Sequence, residues 1–273
     1  MAMRRFNKYL LYVVLTVIAL FYLMPVYVVL VTSFKNDAEV SLSQMWWLPH
    51  LWSISAIGAA WHQLAPNFGN SFYLAISATI LASAFGSVNG YALSKWKFKG
   101  ANVVFFLILF GMFIPYQSVL IPLLRVLNTI GLYNTIPGLI LIHTVYGIPI
   151  CTLIFRNFYA SIPHDIIESA QIDGTGYWGI FRFIILPLSI SGFVVAGIWE
   201  FTQVWNNFLF AVAVTNPPNQ PVTVALVNIA GSQTVPFNEL MASALIASIP
   251  TLVVYILLGK YFVRGLLAGS VKG

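Results

Sequence analysis

The apolar residues of this chain are gathered into long blocks separated by short polar stretches, and nothing else in the sequence restricts the fold as much. A helix rises ~1.5 Å per residue, so about 20 residues cross the ~30 Å hydrocarbon layer of a bilayer. Within that layer no water satisfies the backbone, which leaves helices and closed barrels as the only spanning structures. Six blocks are long enough, at about 9–32, 70–94, 101–121, 137–158, 187–214 and 240–263. The predicted fold class is an all-α membrane protein of six transmembrane helices, organised as a single domain over residues 1–273. Arg4, Arg5 and Lys8 before the first block resemble the start of a signal peptide. The block is too long for a signal h-region and lacks a clear cleavage site, so it reads as a retained span.

Composition supports a lipid-facing exterior. Of 273 residues, 59% are hydrophobic and 7% charged, against roughly 25% charged in a soluble domain. The lone cysteine, Cys151, lies inside an apolar block, so neither a disulfide framework nor a metal-ligand cluster is predicted. The net charge of +6 comes from basic residues scattered beside the apolar blocks, which argues for membrane orientation rather than nucleic-acid binding.

Six spans put both termini on one side. Arg4, Arg5, Lys8, Lys95, Lys97, Lys99, Arg156, Arg182, Lys260, Arg264 and Lys272 fall at one face, leaving Lys35 and Arg125 for the other. The excess of basic residues marks the cytoplasmic side, so both termini are expected there. Residues 95–100 then form a tight cytoplasmic turn whose lysines act as a topological anchor. On the outer side, residues 35–69 carry Trp46, Trp47, Trp52 and Trp61, which suit either an interfacial aromatic belt or a docking surface for an external partner. Pro25, Pro149 and Pro250 sit inside spans, where each removes a backbone hydrogen bond and can kink a helix of a moving or a static bundle.

The longest cytoplasmic stretch, residues 161–187, reads locally as two short helices. Ser161 suits an N-cap, Pro163 the first turn, and Asp165 the positive end of the dipole. Gly174 and Gly176 stop that helix and allow a sharp turn, and Thr175 can cap a second helix running to Pro187. Small Ser169 and Ala170 permit close approach of a partner, and Glu168 offers a carboxylate for a partner's arginine or backbone amides.

The spacing Glu168-Ser169-Ala170, three residues, Gly174, nine residues, Ile184, one residue, Leu186-Pro187 resembles the EAA loop in membrane subunits of bacterial ATP-binding-cassette importers. Ser169 stands where that motif has alanine, a small-for-small change. Residues 70–100 and 114–139 are similar to carbohydrate-uptake permeases, and the tail 263–273 to the maltose-type G-subunit branch. The resemblance implies the type I importer transmembrane fold, with Glu168, Ser169, Ala170, Asp173, Gly174, Leu186 and Pro187 forming a coupling helix that seats on an ATPase subunit. It implies a second, homologous permease subunit, two ATP-binding subunits that use ATP and Mg, an extracytoplasmic solute-binding protein and a sugar substrate, in the cytoplasmic (inner) membrane. By the same resemblance Gly269, Lys272 and Gly273 lie near the ATPase; a flexible basic terminus at the membrane surface is the other reading.

Glu200 is the only acid deep in an apolar block, where a charge costs on the order of 3 kcal/mol unless it meets water or a partner. Gln203, Asn206 and Asn207 recur near it at roughly helical spacing, with Trp199 and Trp205 nearby. Such a stripe suits a sugar path; the other reading is hydrogen bonding that joins two subunits, as polar residues in spans commonly do. No Gly-x-x-x-x-Gly-Lys-Ser/Thr phosphate loop occurs, so the chain is expected to bind no cofactor itself and to be non-catalytic. An ion-driven secondary transporter and a non-transporting scaffold are the alternative functions.

Overall fold

The computed structural model describes the backbone of residues 2–41, 43–96 and 98–270, and the side chains of 8–41, 43–96 and 98–261. The basic side chains of Arg4, Arg5, Lys97, Arg264 and Lys272, on which orientation partly rests, lie outside the described side chains. Among the described residues every regular element is helical.

Four helices are long and apolar enough to cross a membrane: 8–33 within α1 (Ala2–Ser33), α2 (Ser55–Lys95), α5 (Ile136–Ala160) and 237–261 within α12 (Phe237–Ser270). Between α2 and α5 lie α3 (Ala101–Phe110) and α4 (Tyr116–Thr129). After α5 come α6 (His164–Ile172), α7 (Tyr177–Ile180), a π-helical turn (Phe181–Ile185), α8 (Leu186–Leu188) and α9 (Ile190–Trp205). Then α10 (Leu209–Val214) and α11 (Val222–Ala230) lead to α12.

Two of the expected spans are not single rods. The third bends by 96° between Phe113 and Tyr116, and the fifth by 75° between Leu188 and Ile190. Both breaks have a local cause. Ile114 precedes a proline and is extended (ψ 117°), because the Pro115 ring excludes the helical conformation from its neighbour. Pro187 brings no N–H to the ladder, and the turn before it is π rather than α. By contrast α1, α5 and α12 run through Pro25, Pro149 and Pro250 as continuous helices.

The chain divides into two compact units. The first holds residues 1–66 and 225–249. There the buried Lys35 Nζ donates to the Gln44 carbonyl at 2.6 Å, and Asn238 Nδ2 donates to the Lys35 carbonyl and to Asp37 Oδ1. Burial pushes the Lys35 ammonium below its ordinary value, with Glu39 acting in the opposite sense. Glu39 accepts from the amides of His50 and Leu51, which holds the tryptophan-bearing segment in place. The rings of Trp46, Trp47, Trp52 and Trp61 are all exposed.

The second unit holds residues 67–224 and 250–273. Its core joins Ala82 and Tyr91 of α2, Cys151, Phe155 and Tyr159 of α5, Ile167 and Ala170 of α6, Ile180 of α7, Ile185 of the π-helical turn and Ala196 of α9. Two sets of hydrogen bonds mark its opposite ends. At one, Lys95 Nζ donates to the Ile162 carbonyl, joining the end of α2 to the end of α5. At the other, Asn134 before α5 donates its amide to the Val214 carbonyl and accepts from the amide of Asn216 and the side chain of Asn219. The first bent pair therefore leads from the Lys95 end to the Asn134 end, and the second leads from the Lys95 end through α10 to the same Asn134 end.

Candidate functional site

The first candidate site is the segment from Ser161 to Pro187. Its first helix does not begin as its sequence suggests. Pro163 is the N-cap of α6, and Ser161 turns back to donate to the Phe158 carbonyl at 2.6 Å, finishing α5 instead. Gly176, not Thr175, is the N-cap of α7, with no side-chain cap bond. Gly174 ends α6 at φ +79°, the left-handed conformation that a residue without Cβ adopts at least cost.

Helix α6 has two unlike faces. Ile167 and Ala170 are buried in the core of the second unit, so the small side chain of Ala170 serves the helix's own docking rather than approach by a partner. Glu168, Ser169 and Asp173 face outward, and Ile172 is 86% exposed. The Ser169 hydroxyl donates to the Asp165 carbonyl at 2.8 Å, and His164 Nδ1 lies 3.3 Å from the Glu168 carboxylate one turn away. Leu186 and Pro187 are exposed at the 75° bend. Gly269 is described as backbone alone, and Lys272 and Gly273 lie outside the described residues.

The second candidate is a cavity of about 140 Å³ among α4, α5, α9 and α10. Glu200, Gln203 and Asn207 line it together with Trp199. Asn206 does not; its amide donates to the Thr202 carbonyl. Asn207 Oδ1 accepts from the Phe210 amide at 3.0 Å, where α9 ends and α10 starts. Glu200 is 3% exposed, has no ion-pair or hydrogen-bond partner among the described residues, and sits against Gly147 so closely that an added Cβ would lie 2.6 Å from Oε2.

Sequence reasoning missed the opposite wall. His143, Tyr116 and Tyr146 line the same cavity, and His143 is 6% exposed with an unpartnered Nε2. His143 and Gly147 lie one turn apart on α5, which places the histidine and Glu200 about a single cavity. The one available signal was a polar residue in an otherwise apolar span, the same signal that singled out Glu200. Amide, carboxyl, imidazole and phenol groups beside indole and phenyl rings can hydrogen-bond and stack on a polar, uncharged solute.

An all-helical chain with apolar spans, bent crossings and a polar cavity buried between them belongs to the class of membrane permeases. A family model described as "binding-protein-dependent transport system inner membrane component" matches residues 82–267. The chain is 42% identical over 275 residues to a probable ABC transporter permease protein of Pyrococcus horikoshii, covering 99% of this chain and 100% of that one. It is 34% identical over 270 residues to a xylose/arabinose import permease protein of Haloferax volcanii, covering 90% and 87%. Its fold is similar to a chain of a bacterial ABC transporter involved in alginate import, with TM-score 0.82, 22% identity and coverage of 94% and 97%. The protein belongs to the family of binding-protein-dependent transport system inner membrane components and has the transmembrane fold of an ABC importer.

Proposed function

We infer that this chain is the permease subunit of an ATP-driven sugar importer, acting as one transmembrane permease domain over residues 1–273 with both termini in the cytoplasm. The observation that carries this reading is the two-faced α6: its inner residues Ile167 and Ala170 are fixed in the core, while Glu168 and Ile172 are presented outward. A short helix anchored on one side and open on the other is a grip for a second protein. Two ATP-binding subunits, holding ATP and Mg, seat this grip, and their closure moves it. The chain itself catalyses no reaction.

A second, homologous permease completes the pathway, and an extracytoplasmic binding protein delivers the solute; the tail around Gly269, Lys272 and Gly273 runs near the ATPase. Solute crosses by alternating access, with Glu200, Gln203 and Asn207 contributing hydrogen bonds along the path. Similarity to a xylose/arabinose import permease supports a mono- or oligosaccharide, and the hydrogen-bonding groups and rings of the cavity suit a hexose such as glucose.

The test is uptake of labelled glucose and xylose into vesicles holding the whole complex and loaded binding protein. Uptake should require ATP hydrolysis and be unaffected by collapse of ion gradients. Gradient-driven flux without ATP, or no solute flux at all, would overturn the reading. Glu200→Leu with Gln203→Leu should abolish uptake while the subunits still copurify; loss of copurification would assign the stripe to subunit joining instead.

A further inference from the structure

The coupling segment is held at both ends by a helix that is not its neighbour in sequence. Lys95, 9% exposed at the C-terminus of α2, donates from Nζ to the carbonyl of Ile162, in the link between α5 and α6. On the far side of α6, Tyr91 Oη donates to the carbonyl of Tyr177 at 3.2 Å, where α7 starts. The Tyr91 ring lies 4.7 Å from that of Tyr177 and 5.2 Å from that of Phe181, and Trp96 lies 4.7 Å from Tyr177. One turn back, Ser87 Oγ and Tyr159 Oη are 2.7 Å apart, and Gly86 and Gly90 bring the α2 backbone against that of α5.

Covalent connection alone would transmit motion of α6 poorly. The exit from α6 passes Gly174 and Gly176, residues with the widest backbone freedom, and its entry passes the three-residue link 161–163. The contacts from α2 bypass both links. An ammonium donating to a carbonyl in a largely buried setting is among the stronger single hydrogen bonds a side chain makes. The α2 backbone from residue 67 to 95 is one unbroken helix, about 43 Å long at 1.5 Å per residue, so its two ends move together.

We propose that Lys95 and Tyr91 are positioning residues that clamp the two ends of the coupling segment to α2, making α2 the rod that carries α6 displacement across the membrane. This rests on the importer reading above. Lys95 is then more than a topological anchor: its ammonium is the tie on the α5 side of α6, and the Tyr91 hydroxyl and ring form the tie on the α7 side.

The test uses the complete complex with loaded binding protein in vesicles and reads solute molecules transported per ATP hydrolysed. Lys95→Met keeps the stem and removes the donor. It should assemble and hydrolyse ATP at the basal rate, with transport per ATP falling about tenfold, the scale of one charged hydrogen bond. Lys95→Arg should retain most of the coupling, and Tyr91→Phe, which loses only the hydroxyl tie, should fall severalfold less than Lys95→Met. Wild-type transport per ATP in Lys95→Met overturns the proposal, as does equal loss in Lys95→Arg. If Lys95→Met does not assemble, Tyr91→Phe decides, and an unchanged ratio there overturns the clamp. A wild-type complex that transports without ATP would instead overturn the importer reading itself.

Discussion

At Gly90 an added Cβ would lie 2.7 Å from the Arg156 amide nitrogen and 2.9 Å from the Phe155 carbonyl carbon. Both are backbone atoms of α5, which cannot move aside without shifting a helix. Gly90→Ala should therefore cost about 1–3 kcal/mol, as overpacking does, and lower the thermal unfolding midpoint of the purified protein. Gly111→Ala, where nothing lies within 4 Å, is the control and should leave it unchanged. Gly147 behaves differently, because its close neighbour is the end of the flexible Glu200 side chain beside an open cavity. Gly147→Ala should keep near wild-type thermal stability, push the carboxylate into the cavity and lower uptake. Equal unfolding losses at positions 90 and 147 would contradict this distinction. Neither glycine is legible as a contact point in the sequence, since the reason for each lies on another helix. Glu200 was legible because an acid in an apolar block stands out; His143 carried the same kind of signal, but nothing in the sequence shows that it shares a cavity with Glu200.

Among the elements, α6 shows what a local pattern can and cannot tell. Its stop at Gly174 follows from the sequence, and the positive φ explains the residue. With no atom within 4 Å of a Cβ there, only backbone strain opposes substitution. Gly174→Ala should then destabilise by about 1–2 kcal/mol, whereas Gly176→Ala, at φ −77°, should cost far less; thermal unfolding of both variants checks the difference. The facing of α6 was not legible. Ser169 and Ala170 look interchangeable as small residues, yet one points out and the other into a core made of five other segments. Helix ends were less legible than apolar blocks. The helix of the second span starts at Ser55 rather than 70, because residues 55–69 are helical but carry His62, Gln63 and Asn67 and so fall outside an apolar block. Pro115 carried the signal for the break in the third span, but its neighbours on both sides are apolar enough to read as one crossing.

At the scale of the whole molecule, a bent pair of helices can either cross the bilayer or dip into it and return. Length and hydropathy alone allow four spans or six. The hydrogen bonds decide between them within the second unit, since Lys95 meets Ile162 at one end of α5 while Asn134 meets residues 214–219 at the other. A dip would return α4 to the Lys95 end, where it would be a full helix length away from the start of α5 that follows it. Residue 130, after the first bent pair, and residue 172, before the second, must then lie on opposite sides. Cys151 is buried and is the only cysteine, so Ile130→Cys and Ile172→Cys each add one accessible thiol. In intact cells that produce this chain without ATPase subunits, a membrane-impermeant maleimide should label Ile130→Cys, and should label Ile172→Cys only after permeabilisation. Labelling of both from outside would make one bent pair re-entrant, and labelling of Ile172→Cys alone would invert the orientation and remove α6 from the reach of any cytoplasmic ATPase.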